Sequence, residues 1–222
     1  MIIFLAFQAS IASHNRHISI PNVSPRYSIS VDIETAESGS DDPISGLAAV
    51  TITSRSTGRE IQTIKLPSLT LFKGSYALGV GPHDQSPSPY GDTFSFVFQD
   101  FDFDGHQDLA ICKDTSGGYG SPAYDVFRWN VARKKFVKDA FLSKLSSERL
   151  GLIVTDPTHR ELISFEKDGA AWHKASTYRW IKRKLTLVKE EIDDATGDKE
   201  VITTKTIVGA NWKTIVRRLS KS

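Results

Sequence analysis

A chain of 222 residues can bury a full hydrophobic core without disulfides or metals, as one large domain or two small ones. Its 39% hydrophobic and 24% charged residues exclude extensive disorder, and 28 Lys and Arg against 26 Asp and Glu leave a charge of +2, too small for nucleic acid to be the main partner. Cys112 is the sole cysteine, which excludes an intrachain disulfide framework and a zinc site built from cysteines.

Met1 to Phe7 is a nearly unbroken apolar run, followed by small residues ending in Ser10-Ile11-Ala12, the grammar of a signal peptide cleaved after Ala12. Residues 1–12 are therefore read as an export leader. No basic stretch precedes the run, and it would also serve as a buried first strand. No other stretch approaches the ~18 apolar residues of a membrane helix. Residues 13–26 are polar and contain Pro21 and Pro25, so an irregular segment is expected there. Residues 27–222 are taken as a single domain.

Tyr27, Ile29, Val31 and Ile33 alternate with polar residues, which predicts a strand with one buried face. Glu34 to Gly46 reads as a loop. Val50 to Thr53 and Ile61 to Ile64 flank Arg55-Ser56-Thr57-Gly58, a β-hairpin whose glycine supplies a positive φ. Gly74 to Pro89, rich in glycine and proline, predicts a long surface loop or blade crossing. Strands follow at Thr93 to Gln99, Leu109 to Cys112, Tyr124 to Asn130, Phe136 to Val137, Ser164 to Phe165, Tyr178 to Ile181, Leu185 to Lys189 and Val201 to Val208. Phe141 to Leu150 is the stretch with helical character. The class is all-β.

Phe127-Arg128-Trp129 before Arg133-Lys134-Lys135-Phe136-Val137 is echoed by Tyr178-Arg179-Trp180 before Arg183-Lys184-Leu185. The two tryptophans stand 51 positions apart, near the ~40 to 50 residues of a propeller blade. The expected architecture is a β-propeller-like arrangement of antiparallel meanders with one short helix, and a β-sandwich is the alternative.

Asp100-Phe101-Asp102-Phe103-Asp104-Gly105-His106-Gln107-Asp108 follows D-x-D-x-D-G-x-x-D. Calcium takes several hard oxygen ligands. Carboxylates at loop positions 1, 3 and 5 converge, glycine at position 6 allows the sharp turn, the carbonyl of His106 serves position 7 and Asp108 closes the sphere. Without a cation these carboxylates would repel one another. Ile111 stands where a helix-loop-helix calcium hand carries Glu, and both flanks read as strands, so the loop is not an EF-hand. Every ligand comes from protein, which makes the ion structural.

From Phe94 through Val137, the acidic loop is followed by Ser116-Gly117-Gly118-Tyr119-Gly120 and Tyr124-Asp125-Val126-Phe127. This run resembles the calcium-binding, propeller-like periplasmic immunity proteins described with bacterial type IV secretion effectors; its acidic loop is also similar to FG-GAP and VCBS repeats. The resemblance spans about half the chain. It implies a non-enzymatic, periplasmic inhibitor of a lysozyme-like peptidoglycan hydrolase. The family's lipobox cysteine is missing near residue 12. On this reading Ser116, Gly117, Gly118, Tyr119, Gly120 and Tyr124 bind the partner. Tyr119, or failing it Tyr124, enters the cleft, and the glycines let the backbone follow its wall. Internal packing is the equal alternative for Tyr119 and the preferred reading for Tyr124, which starts a strand.

No G-x-S-x-G elbow, Walker loop, H-E-x-x-H or Rossmann fingerprint occurs. His83, His106, His159 and His173 lack metal-ligand spacing. Asp156 and Asp193-Asp194 read as solvated turns rather than acid/base pairs. The basic groups Arg133-Lys134-Lys135-Lys138 and Lys182-Arg183-Lys184 read as solvated hairpin tips, with contact to an anionic wall polymer or acidic partner as the alternative. The second functional class is a calcium-dependent carbohydrate-binding or adhesion module.

Overall fold

The computed structural model describes residues 13–36, 43–78 and 93–220. The expected leader (1–12), His83, and parts of the loops at 34–46 and 74–89 lie outside the described residues. The first sheet is a meander of β1 (Ser13–Ile20), β2 (Tyr27–Ala36), β3 (Ile44–Ser54) and β4 (Glu60–Leu71). The β3–β4 hairpin turns through Gly58 at φ 67°, as its sequence predicts. Residues 13–26 are not irregular throughout, because Ser13–Ile20 pairs along its whole length with β2. As an edge strand β1 buries only its Ile18 and Ile20 end, so it carries no alternating signature, and Pro21 and Pro25 fall beyond it.

The central sheet contains β5 (Ala77–Leu78), β6 (Phe96–Gln99), β7 (Asp108–Asp114), β8 (Ala123–Asn130) and β9 (Lys135–Lys138). Both of its faces are covered. Phe96, Phe98, Leu109, Ile111, Phe127 and Phe136 pack against the first sheet. The intervening Val97, Ala110, Cys112, Tyr124 and Val126 pack on the opposite side. Their strands are therefore nearly continuous apolar runs, and each fully buried large side chain contributes about 1.5–3 kcal/mol.

The opposite face is covered by helix α1 (Ala140–Glu148) and a six-stranded sheet. That sheet runs in order through β10 (Val154–Asp156), β11 (Glu161–Asp168), β12 (Trp172–Ile181), β13 (Lys184–Asp194), β14 (Lys199–Val208) and β15 (Asn211–Ser220). Asp139 caps α1 by accepting from the backbone N–H of Phe141 and Leu142, and Leu142 and Leu145 enter the second core with Leu162, Tyr178 and Leu185.

The all-β class holds, with one helix, but the propeller does not. Among the described residues the three sheets stack as in a sandwich and form neither a closed barrel nor a ring of blades. The tryptophan echo is real at hairpin level, since Trp129 faces Phe136 and Trp180 faces Leu185 across their turns. The two hairpins belong to different sheets, however, and a shared cross-strand pair does not make a blade.

Candidate functional site

The 100–107 loop joins β6 to β7, closed by the pair Gln99↔Asp108. Phe101 and Phe103 point into the second core, fully buried and 9% exposed, while Asp102 between them joins Asp100 and Asp108. Phe103 at φ 57° and Gly105 at φ 90° make the sharp bend. One oxygen from each of Asp100, Asp102 and Asp108 lies within 4.8 Å of the others. The structure thus brings together three of the four predicted carboxylates. Asp104 is exposed and its Oδ1 accepts from the N–H of His106 at 2.8 Å; neither residue belongs to the cluster.

Backbone donors preorganise two of the three. Asp100 accepts from the N–H of Asp104 and Gly105 at 3.1 and 2.8 Å. Asp108, only 1% exposed, accepts from Phe101 at 2.9 Å and Trp129 at 2.7 Å. Burial pushes the Asp108 carboxyl up to about 8; the two N–H groups oppose this and the carboxylates of Asp102 and Asp100 add to it. Asp100 is raised by burial as well, against its hydrogen bonds to Gly105 and Asp104. Asp102 Oδ1 is buried with no hydrogen-bond partner, as is Gln107 Oε1 in the same loop. A buried carboxylate oxygen left orphaned beside two other carboxylates fits a hard cation such as calcium.

A protein cation also reaches the cluster, and the motif gives no sign of it. Arg128 of β8 donates from Nη1 to Asp102 at 2.7 Å and from Nε to Asp139 at 2.8 Å, with its guanidinium 4.9 Å from the Trp180 ring centroid. Burial works against its charge, but the bonds to Asp102 and Asp139 outweigh this and hold it above the ordinary value. The signal was in β8 itself: Tyr124, Val126 and Arg128 share the inward face, and an inward-facing arginine needs a carboxylate. Trp180 completes the surround by donating from Nε1 to the carbonyl of Phe101 at 2.9 Å. A cleft of about 370 Å³, lined by Asp102, Asp104, Arg128, Trp129 and Arg183 among others, opens the cluster to solvent.

The glycine-rich segment follows β7, so the seven residues of that strand, about 20 Å, separate it from the aspartates. Ser116 bonds back to Asp114 through N–H and Oγ. Gly117 donates to the carbonyl of Ser121 at 2.9 Å, and a Cβ on Gly117 would lie 2.6 Å from that oxygen. Gly118 donates to the carbonyl of Arg149 at the end of α1. Between Gly118 and Gly120, Tyr119 holds φ 56° and ψ 32° and is 60% exposed. Its Oη accepts from the N–H of Gly169 at 2.6 Å, and Lys167 Nζ sits 4.6 Å from its ring centroid. The tyrosine is held on the β11–β12 turn with much of its ring in solvent.

Tyr124 does not belong with these residues. It is 3% exposed, its hydroxyl donates to the carbonyl of Phe94 at 2.8 Å, and burial raises its phenol. Its alternation with Val126 placed it in the second core. Cys112 is buried on the same face, where burial pushes its thiol up to about 12. His159 pairs with Asp156 in an exposed turn. Asp193 and Asp194 end strand β13 instead of forming a turn.

No protein-family model matches the chain, and no curated protein matches it. Among solved structures it is similar to one described as a Xanthomonas type IV secretion system related protein. The TM-score is 0.73 at 20% identity, over 91% of this chain and 97% of that chain. That likeness shows the fold. No helix among the described residues is long and apolar enough to cross a membrane.

Proposed function

We propose that the protein is a periplasmic immunity protein that binds and blocks a lysozyme-like peptidoglycan hydrolase, with Tyr119 as the inserted residue and a structural calcium at the aspartate cluster. The observation that carries the reading is the presentation of Tyr119. A large aromatic is held at positive φ on a turn whose flanking glycines cannot be replaced freely, and its ring stays exposed. A side chain restrained in this way loses little freedom on binding, which is what an inhibitory probe needs. Its hydroxyl, aligned by the Gly169 N–H, can exchange Asp168, to which it donates at 3.4 Å, for a catalytic carboxylate of a muramidase and occupy the sugar site. The likeness in fold to a type IV secretion related protein supports the setting.

Asp100, Asp102 and Asp108 would hold the ion, with Asp104 and the carbonyl of His106 available to complete its shell. Calcium supplies neutralising charge and fixes the β6–β7 junction; it takes no part in chemistry, and the protein catalyses no reaction on this reading. Because β7 separates the two sites, the ion steadies the sheet and does not shape the tyrosine turn directly.

The test is titration of the protein into a cell-wall hydrolysis assay with the muramidase-like product of an adjacent gene, wild type beside Tyr119→Ala. Stoichiometric loss of hydrolysis that disappears in the variant supports the reading, and no inhibition by the wild type refutes it. A calcium-dependent glycan-binding module is the second reading, favoured by the cleft in which Trp129 and Arg183 meet the aspartates. It requires binding to purified peptidoglycan without the enzyme.

A further inference from the structure

Strand β15 closes the six-stranded sheet as an edge, bonded to β14 along ten uninterrupted pairs from Lys199↔Ser220 to Val208↔Asn211. All ten of its residues are exposed. Along a strand successive side chains alternate, so Trp212, Thr214, Val216 and Arg218 stand on one face and Lys213, Ile215, Arg217 and Leu219 on the other. Trp212, Ile215, Val216 and Leu219 are 45%, 46%, 46% and 43% exposed. Every second residue turns its N–H and C=O away from β14 towards open solvent. Exposed edges are ordinarily blunted by a bulge, a proline, a covering element or charge. β15 has no bulge against β14, no proline and no cover among the described residues; it has charge of one sign only.

That charge decides the occupant. Lys213, Arg217 and Arg218 are basic, and no acid lies between 211 and 220. A second copy would bring three more bases to the same joint. In the two-fold register centred on Val216, each Arg217 sits diagonally across from both Lys213 and Arg217 of the copy, and like charges at such positions are destabilising. An incoming strand with carboxylates opposite Lys213, Arg217 and Arg218 would pair all three while its apolar residues meet Trp212, Ile215, Val216 and Leu219. We propose that β15 is a docking edge that takes an extended, acidic polypeptide segment of a partner protein by strand addition. The backbone ladder supplies affinity and the bases supply selectivity. The edge shares no residue with the Tyr119 turn or the aspartate cluster, so it stands or falls separately from the inhibitor reading.

The probe is a labelled synthetic decapeptide with Glu at the positions that stand opposite Lys213, Arg217 and Arg218 and Val or Thr elsewhere, with a twin carrying Lys for every Glu, each titrated against the full chain by fluorescence anisotropy. The acidic peptide is expected to bind about tenfold or more tighter than its twin. The double variant Arg217→Glu, Arg218→Glu, whose sites are exposed and whose folding is checked by thermal melting, is expected to invert that order. Equal affinity for the two peptides, binding of neither, or an unchanged order in the variant overturns the proposal. So does a dimer in sedimentation that the double variant abolishes, since a second copy would then own the edge.

Discussion

At the scale of single residues, Tyr119 and Asp108 carry the two testable ideas. Tyr119 holds φ 56°, a conformation that costs a non-glycine residue of order 1–3 kcal/mol and survives only where the surroundings enforce it. Here the enforcement comes from the backbone of the turn, where the Gly120 N–H donates to the Gly117 carbonyl and the Ser121 N–H to the Gly118 carbonyl. Tyr119→Ala is expected to weaken inhibition by about 30-fold or more, the loss of a hot-spot aromatic, with little change in melting temperature because the ring is largely solvated. Unchanged inhibition constants would remove the residue from the mechanism. Asp108 predicts a pH dependence. Its carboxyl titrates at about 8 in the fold against about 4 in the unfolded chain, so the folded state binds this proton more tightly. Metal-free stability from this group is therefore complete below pH ~4 and falls as pH rises towards about 8. A cation replaces the proton and removes that loss, so the gap between melting temperatures with calcium and with chelator should widen from pH 5 to pH 8. A constant gap would argue that Asp108 is not a ligand.

At the scale of elements, α1 and β7 tie the sites to the frame. Asp139 caps α1 with one oxygen and holds Arg128 with the other, and α1 docks on β8 through the bond from Val126 N–H to Ser143 Oγ at 2.9 Å. Asp139→Ala is expected to cost about 1–2 kcal/mol in chemical denaturation from the cap alone. It also leaves Arg128 on Asp102 only, which should change calcium affinity; a cap without that connection would leave calcium titrations untouched. Gly117→Ala probes the other end of β7. Its Cβ would collide with the Ser121 carbonyl, so the turn must open. Inhibition should drop while calcium affinity stays at the wild-type value, because the strand insulates one site from the other.

At the scale of the whole molecule, the central sheet is a wall between two cores, and the aspartate loop closes one end of it. The loop contributes Phe101 and Phe103 to the second core, so an ion that fixes the loop stabilises a shared core. Calcium at about 100 times its dissociation constant should add about 2.7 kcal/mol, raising the melting temperature by about 5–10 °C for a chain of this size. Calorimetry with calcium and with chelator checks this, and Asp102→Asn should abolish most of the difference.

Much of this was legible in local order. Alternation in Tyr27 to Ile33 and the apolar runs at 96–98 and 109–112 gave the strands, since period two is a property of the chain itself. D-x-D-x-D-G-x-x-D gave Asp100, Asp102 and Asp108 as neighbours, since a short loop admits few arrangements, but it also named Asp104, which stands outside the cluster. The apolar runs point to burial on both sides of β6 and β7 but not to what covers them, so nothing local showed that three sheets stack in place of closing blades. The strand position of Tyr124 already favoured a core, but only the fold put Tyr119, five residues away, in solvent, because burial depends on strands distant in sequence. It alone also brought Arg128 to Asp102, since a charge pair across 26 residues exists only after β7 and β8 have paired.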